Sequence, residues 1–296
     1  MEITAGLVVE LVAAQFPGWA GLPVRPVERD GWDNRTFRLG DELSVRLPRT
    51  KHYAAQAAKE HRWLPVLAPR LPLAIPQSLA LGSPTDPFPW PWSVRRWLPG
   101  DPLTADRVRD LSELANDLAE FLVALQSVDT VGGPAPGAHN FGRGGPIGVY
   151  DEQTRKAIAS LSTEIDGHRA STVWEKATGT TWDRPGVWVH GDISPSNLLV
   201  ADGRLGAVID FGGCAVGDPA CDLTVAWTAF SDGARTTFLS RLGLDHATVA
   251  RARGWALWKA LITLAQGPSA AETARIQFGW HWPVLELLEQ IFNDSP

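Results

Sequence analysis

Residues 187–200 read Val-Trp-Val-His-Gly-Asp-Ile-Ser-Pro-Ser-Asn-Leu-Leu-Val, and residues 208–212 read Val-Ile-Asp-Phe-Gly. Each stretch passes from a β-like apolar run into a polar loop, with Asp192 and Asn197 five residues apart in the first loop and Asp210 in the second. A single Asp-Phe-Gly triplet would be an ordinary turn, because aspartate is common where strands end. Two such loops in this order favour a functional site built from carboxylate and amide oxygens.

The two stretches resemble the catalytic loop and the metal motif of the protein-kinase-like fold. The resemblance implies that Asp192 accepts the proton of an attacking hydroxyl, while Asn197 and Asp210 bind Mg²⁺. Phosphoryl transfer needs both functions, because metal ions neutralise the phosphates of ATP or GTP and a carboxylate orients the nucleophile. A Ser/His/Asp hydrolase built on Ser194, His190 and Asp192 is disfavoured, since residues crowded into one loop cannot form a nucleophile, base and orienter relay.

Glycine stands at position 191, where protein kinases have arginine, and the run Gly217-Asp-Pro-Ala-Cys-Asp-Leu223 follows soon after Asp210. This variant is similar to the aminoglycoside phosphotransferase family, which includes macrolide phosphotransferases and other small-molecule kinases. The short segment Gly212–Asp218 leaves no room for a peptide platform, so a small acceptor is predicted. The resemblance assigns supporting roles around the loop to three residues: His190, Phe211 and Asp222, the last with helix capping as an alternative.

The chain changes character near residue 100. Residues 1–100 carry 12 Lys+Arg and 9 Asp+Glu, a balance of +3, whereas residues 101–296 carry 15 and 24, a balance of −9. Strand-like runs dominate the front and helical periodicity dominates the back. We therefore predict an α+β, bilobal protein-kinase-like fold. Its N-terminal nucleotide-binding lobe (1–98) contains an antiparallel sheet with one helix, and its C-terminal lobe (99–296) is mostly helical.

The N-terminal lobe is expected to bind the nucleotide. Arginine occupies the strand position where the family has a phosphate-gripping lysine, and we interpret this Arg46 as the phosphate-binding residue, paired with Glu60 on a helix predicted over 51–64 and stopped by Pro65. An arginine on an exposed strand edge is the alternative. The loop Gly31–Phe37 is predicted to cover the phosphates or to be a plain turn. The predicted nucleotide-binding residues are Arg46, Glu60, Gly31, Asn34, Arg95 and Trp97, the last two on a strand expected to meet the purine.

The C-terminal lobe is expected to bind the acceptor. Helices are predicted over 103–128, 151–165, 219–230, 246–266 and 270–291. A glycine-rich segment over 132–148 suggests a lid or a linker. Four tryptophans on the last helices are candidates for an acceptor pocket, although core packing is the more frequent role for aromatic residues at this spacing: Trp255, Trp258, Trp280 and Trp282.

Composition excludes several classes of function. The formal charge of −6 and the isoelectric point near 5.6 argue against a nucleic-acid binder. No apolar run reaches bilayer-spanning length, and no feature indicates a protein partner. The start of the chain lacks a signal-peptide pattern and the chain has two cysteines, from which we expect a reducing, cytoplasmic location.

The expected reaction is transfer of the γ-phosphate of ATP or GTP, with Mg²⁺, to a hydroxyl of a small molecule. An aminoglycoside antibiotic is the first choice of acceptor, because a polycation suits a lobe of charge −9. A macrolide 2'-phosphotransferase using GTP and a metabolite hydroxyl kinase are alternatives within the same class. A catalytically silent pseudokinase is the alternative from a different class, motivated by Arg46.

Overall fold

The computed structural model describes residues 2–28 and 30–294, which divide into two compact units. The first unit contains the described residues up to Arg70, with Ala74–Pro99 and Asp210–Gly212. The second contains Leu71–Leu73, Gly100–Ile209 and the described residues from Gly213 onward. Among the residues described, no helix is both long and apolar enough to cross a membrane.

The first unit is built on an antiparallel sheet. Its strands are β1 (Val24–Pro26), β2 (Asn34–Leu39), β3 (Leu43–Pro48), β4 (Ser78–Gly82) and β5 (Trp92–Arg96), in the spatial order β1-β2-β3-β5-β4. Phe37, Val45 and Val94 stand side by side in register and are fully buried or nearly so. Successive side chains of a strand point to opposite faces of the sheet. Because Val45 faces the core, the next residue, Arg46, lies on the other face beside Ser93.

Two helices accompany this sheet. The first, α1 (Ala5–Gln15), was not predicted; it is capped by Thr4 and adds Val8, Leu11 and Val12 to the core of the sheet. The second, α2 (Ala54–Leu67), carries Glu60 and continues through Pro65, where the sequence predicted its end. Pro65 lies in the last turn and removes a single backbone hydrogen bond there, while buried Leu64 and Leu67 hold the turn in place.

The second unit is mostly helical. Its helices are α3 (Leu111–Gln126), α4 (Asp151–Ser160), α5 (Gly167–Thr178), α6 (Val225–Thr228), α7 (Asp232–Leu242), α8 (His246–Leu264), α9 (Pro268–Phe278) and α10 (Val284–Asn293). Its short strands are β6 (Asp101–Pro102), β7 (Val187–Val189), β8 (Leu198–Ala201), β9 (Arg204–Val208) and β10 (Ala215–Gly217). Strand β8 pairs with β6 and β9, and β7 pairs with β10. These pairings place the loops that follow β7 and β9.

Several predicted helices have different bounds. The helix expected over 151–165 ends at Ser160, and the stretch expected as a helix over 219–230 is a 3-10 helix, Pro219–Thr224, followed by α6. The helix expected over 103–128 begins at Leu111 with Asp110 as its cap, because Leu103 donates its N–H to the Leu198 carbonyl at 2.8 Å beside the β6–β8 pair. The helix expected over 270–291 is two helices. Gly279, with a left-handed φ of 71°, ends α9, and Pro283 precedes α10.

Candidate active site

The loop after β7 requires glycine at position 191. Gly191 has φ +85°, and a Cβ built on it would lie 2.3 Å from the backbone oxygen of Gly213. A side chain at this position would therefore need both a disfavoured backbone conformation and a displaced backbone at Gly213. The His-Gly-Asp sequence follows from this close approach of two backbone segments.

Asp222 anchors the same loop. Its Oδ2 accepts the N–H of His190 and its Oδ1 accepts the N–H of Gly191, each at 2.7 Å. Burial raises the pKa of Asp222 above its usual range, although the His190 ring and both backbone donors oppose the rise. The carboxylate is 1% exposed, so its geometry fits the predicted bracing role and not a role in capping alone.

His190 joins the loop to the end of β9. Its Nδ1 accepts the N–H of Asp192 at 3.2 Å, so the proton resides on Nε2, which donates to the Ile209 carbonyl at 2.9 Å. The ring is fully buried. Both ring nitrogens are therefore engaged with backbone, and His190 positions Asp192 instead of exchanging protons with a substrate.

Asp192 and Asn197 are in direct contact. The amide nitrogen of Asn197 donates to the backbone oxygen of Asp192 at 2.9 Å and to its Oδ2 at 3.2 Å. These two bonds fix the orientation of the amide group and direct its Oδ1 away from Asp192. Asp192 is 43% exposed at its side chain. The pair thus presents a carboxylate that accepts protons next to an amide oxygen that can bind a cation.

Lys259 of α8 completes this group, and sequence reasoning missed it. Its Nζ lies 3.2 Å from Asp192 Oδ1 and 4.4 Å from the centre of the Phe278 ring. Burial would raise the pKa of Asp192, but Lys259, followed by Arg143 and His190, outweighs burial and holds that pKa below its usual value. The sequence did contain a signal for it, because Lys259 is the one charged residue in the run 254–271.

The glycine-rich segment also reaches the loop. Arg143 donates from Nε to the Gly191 carbonyl at 3.2 Å, and the amide nitrogen of Asn140 donates to the Gly213 carbonyl at 3.1 Å. The Arg143 guanidinium lies 5.2 Å from the Trp255 ring and 4.8 Å from the Trp258 ring. The segment predicted as a lid or a linker is a brace for the loop.

The four candidate tryptophans do not form an open stacking face. Trp255, Trp258 and Trp280 are 2%, 5% and 2% exposed, and Trp282 is partly exposed. Trp258 stacks on Tyr150 with 4.1 Å between ring centres. Trp255, Trp258 and Trp280 are thus packed as core residues. Trp280 and Trp282 lie between α9 and α10 and not on helices as predicted, and Trp282 stays a candidate for the acceptor pocket.

In the first unit, Glu60 has two arginine partners. Arg95 donates to both of its oxygens, at 3.0 and 2.6 Å, with side chains 4% and 1% exposed. Arg46 NH1 lies 3.7 Å from Glu60, and Arg46 NH2 donates to both oxygens of Asp210 at 3.1 Å. Burial opposes the charge of Arg46, but Asp210 and Glu60 raise the pKa of its guanidinium above the ordinary value. Arg46 therefore lies inside a charged cluster and not on an exposed strand edge.

The expectation that Arg95 and Trp97 meet a purine stays a prediction. Residues 93–95 of β5 lie between β3 and β4, which pair with their backbone, and the Arg95 side chain faces Glu60. Trp97 follows β5; its N–H donates to the Glu42 carbonyl at 2.7 Å, and the Arg38 guanidinium lies 4.1 Å from its ring.

The predicted phosphate loop is held by side chains. The N–H of Gly31 donates to Asp30 Oδ1 at 3.1 Å, and its carbonyl accepts from Arg49 Nε at 3.2 Å. Asn34 is buried at the start of β2, with its amide 3.4 Å from the Gln56 side-chain oxygen. Both residues thus take part in an ordered turn. Phe211, the third predicted supporting residue, is fully buried.

Fold and loop geometry together define a kinase-like phosphotransferase. A model of the phosphotransferase enzyme family matches residues 24–261, and the chain belongs to that family. The predicted α+β kinase-like fold is confirmed. No curated protein matches the chain significantly.

Solved structures with the same fold include antibiotic phosphotransferases. APH(2")-IIia, solved with GDP and kanamycin, has a TM-score of 0.72 at 19% identity, over 98% of this chain and 99% of that one. APH(2")-IIa, solved with streptomycin and ATP, has a TM-score of 0.60 at 18% identity, over 99% of both chains. The macrolide 2'-phosphotransferase MphH from Brachybacterium faecium has a TM-score of 0.60 at 24% identity, over 92% of this chain and 97% of that one. At these identities the likeness concerns the fold.

Proposed function

We propose that this phosphotransferase moves the γ-phosphoryl group of ATP or GTP to a hydroxyl of a small molecule. The observation that carries the proposal is the contact of Asp192 with Asn197, on a loop fixed by His190 and Asp222. Asp192 is the proposed acceptor of the hydroxyl proton. Catalysis then consists of positioning and charge neutralisation, with little covalent chemistry from the protein.

Mg²⁺ is the proposed cofactor, and two residues suit it. Asp210 offers a carboxylate, and Asn197 offers an amide oxygen whose direction is set by its two bonds to Asp192. Carboxylate and amide oxygens are the hard ligands that Mg²⁺ prefers. When bound, the ion would neutralise phosphate charge. Arg46 now donates to both Asp210 oxygens, so a cation at Asp210 must compete with that guanidinium.

Arg46 is the proposed phosphate ligand of the first unit. A guanidinium released from Asp210 can donate two parallel hydrogen bonds to a phosphate, which a lysine in its place cannot. Glu60 and Arg95 would set its position, because their buried pair fixes the carboxylate near which Arg46 lies. Gly31 and Asn34 stay proposed as parts of a phosphate-covering loop.

The test is nucleoside diphosphate release from Mg²⁺-ATP or Mg²⁺-GTP, with water and with a panel of hydroxyl acceptors. Asp192→Asn should abolish acceptor-dependent turnover while nucleotide binding persists, because the amide keeps the size of the side chain and loses its basicity. Asp210→Ala should abolish Mg²⁺-dependent nucleotide binding. Asp41→Asn, at an exposed position in the first unit, is the matched control. Full turnover by Asp192→Asn would refute the assigned mechanism.

Two alternatives have specific support. A nucleotide-binding pseudokinase is suggested by the arginine at position 46, and nucleotide binding without turnover of any acceptor or of water would establish it. An aminoglycoside acceptor is suggested by the charge balance of −9 over residues 101–296, and a macrolide acceptor or a metabolite hydroxyl belongs to the same class of reaction.

A cytoplasmic location is also proposed, in keeping with two buried cysteines.

A further inference from the structure

Two cations, Lys259 and Arg143, act on Asp192, although residues 101–296 carry a net charge of −9. We propose that Lys259 determines acceptor specificity: the acceptor carries a neutral or anionic group, and not an ammonium group, next to the hydroxyl that is phosphorylated. The inference rests on the proposed function and names the substrate class of the same site. It predicts that the reacting region of the acceptor is not cationic, in contrast to the expectation from the net charge.

The two oxygens of Asp192 have different neighbours. Asn197 donates to Oδ2 at 3.2 Å, and Lys259 Nζ lies 3.2 Å from Oδ1. Asn197 is also the proposed metal ligand, so the Oδ1 side is left for the acceptor. A hydroxyl that donates to Oδ1 at about 2.8 Å lies no more than about 6 Å from the ammonium of Lys259. Any charged group on the neighbouring atoms of the acceptor is then within about 9 Å of Nζ.

The ammonium group of Lys259 is held in this position. Its side chain is 12% exposed, and Nζ lies 4.4 Å from the ring centre of Phe278 and 6.0 Å from that of Trp280. An ammonium between a carboxylate and two aromatic faces gains both ionic and cation–π interactions. An arriving acceptor therefore meets a fixed charge rather than a flexible surface lysine.

No acidic residue lies on the segments that bring these cations to the loop. Helix α8 contains Arg251, Arg253 and Lys259 without any Asp or Glu, and residues 138–150 contain Arg143 without any Asp or Glu. Arg143 is the second cation that acts on Asp192. These two segments thus bring two cations and no carboxylate to the surroundings of Asp192.

Two buried carboxylates of the lobe already have partners of their own. Asp222 accepts two backbone N–H groups of the loop, and Asp218 pairs with Arg251 at 2.6 Å, with side chains 7% and 2% exposed. Charges farther away than about 8–10 Å are screened at ordinary ionic strength. A net charge of −9 spread over residues 101–296 therefore acts on the reacting hydroxyl less than one lysine at about 6 Å.

The experiment compares acceptors that differ in a single property. An amino sugar and kanamycin are each tested beside the fully N-acetylated form, which keeps every hydroxyl and loses the ammonium charges, and a uronic acid supplies an anionic acceptor. The readouts are the ratio of kcat/KM values within each pair and the ratio of equilibrium dissociation constants from tryptophan fluorescence. Ratios cancel any general loss of activity, so they separate specificity from folding.

Five proteins are compared: wild type, Lys259→Met, Lys259→Glu, Lys259→Arg and the exposed control Lys156→Met. We expect wild type to favour the acetylated and anionic acceptors over the ammonium forms. Lys259→Met should shift the ratio toward the ammonium forms by about threefold to tenfold, as one screened charge at this distance would, and Lys259→Glu should shift it further. Lys259→Arg should restore the wild-type ratio, and Lys156→Met should leave it unchanged.

The failures of the two proposals are distinguishable. Preference of wild type for the ammonium forms, or equal ratios in wild type and Lys259→Met, overturns the specificity inference and leaves the phosphotransferase intact. Absence of nucleoside diphosphate release with every acceptor and with water counts against the phosphotransferase itself. Binding ratios decide the inference in that case, because fluorescence needs no turnover.

Discussion

Replacement of Glu60 by glutamine should strongly destabilise the first unit. The Glu60 carboxylate is 1% exposed and accepts two hydrogen bonds from Arg95, whose side chain is 4% exposed. Arg46 lies 3.7 Å away on the other side. Burial lowers the pKa of Arg95, and Glu60 opposes this effect. The Glu60 carboxylate therefore stabilises the charged form of the buried Arg95 guanidinium.

The magnitude follows from burial. Removing one partner of a buried ion pair costs about 3–5 kcal/mol, because the remaining charge has neither water nor a counter-ion. Glu60→Gln/Arg95→Gln should cost less than Glu60→Gln alone, since neither charge is then left unpaired. The matched control is Asp41→Asn at the exposed Arg25–Asp41 pair, with side chains 58% and 89% exposed, which should cost less than about 1 kcal/mol.

The assay is urea denaturation followed by tryptophan fluorescence and circular dichroism. With a slope of about 3 kcal/mol/M, Glu60→Gln should lower the unfolding midpoint by about 1 M or more. The double variant should recover part of that loss. A midpoint for Glu60→Gln equal to that of Asp41→Asn would refute the reasoning, because it would mean that water reaches Arg95 in the folded protein.

Three further outcomes are expected. Gly191→Ala should lower acceptor-dependent turnover by about 100-fold, because its Cβ would displace the loop that carries the proton acceptor, and wild-type turnover would contradict the geometry. Gly254→Ala should lower the free energy of unfolding by about 1–3 kcal/mol, because its Cβ would lie 2.4 Å from that of Ala177. Gly233→Ala, where nothing lies within 4 Å, is its control and should not destabilise. Burial raises the pKa of the Cys221 thiol, so Cys221 should resist thiol reagents at pH 8 until the protein is denatured, and labelling of the folded protein would contradict its burial.

The sequence predicted the parts of the site that depend on neighbours along the chain. The spacing of Asp192 and Asn197 and the glycine at position 191 define a single loop, so their roles follow from local order. The same holds for the alternation in β3, which places Arg46 opposite the core face.

Contacts between distant segments were beyond a reading of local patterns. Lys259 meets Asp192 from 67 residues away, and Arg95 takes Glu60 from 35 residues away. The pairing of β5 with both β3 and β4 could not be predicted for the same reason, since it is a property of the whole sheet and not of β5 alone. Gly279 and Pro283 are residues that typically interrupt a helix. The apolar residues continue at helical spacing on both sides of them, so the sequence predicted one helix where the structure has two.

The fit of Gly191 against Gly213 has a consequence for regulation. In protein kinases, the arginine at the corresponding position pairs with a phosphate added by another enzyme, which orders the segment beyond the loop. Here the backbone itself fills that space, and the loop takes its final shape as the chain folds. The loop therefore has no arginine through which a phosphate added by another enzyme could order it.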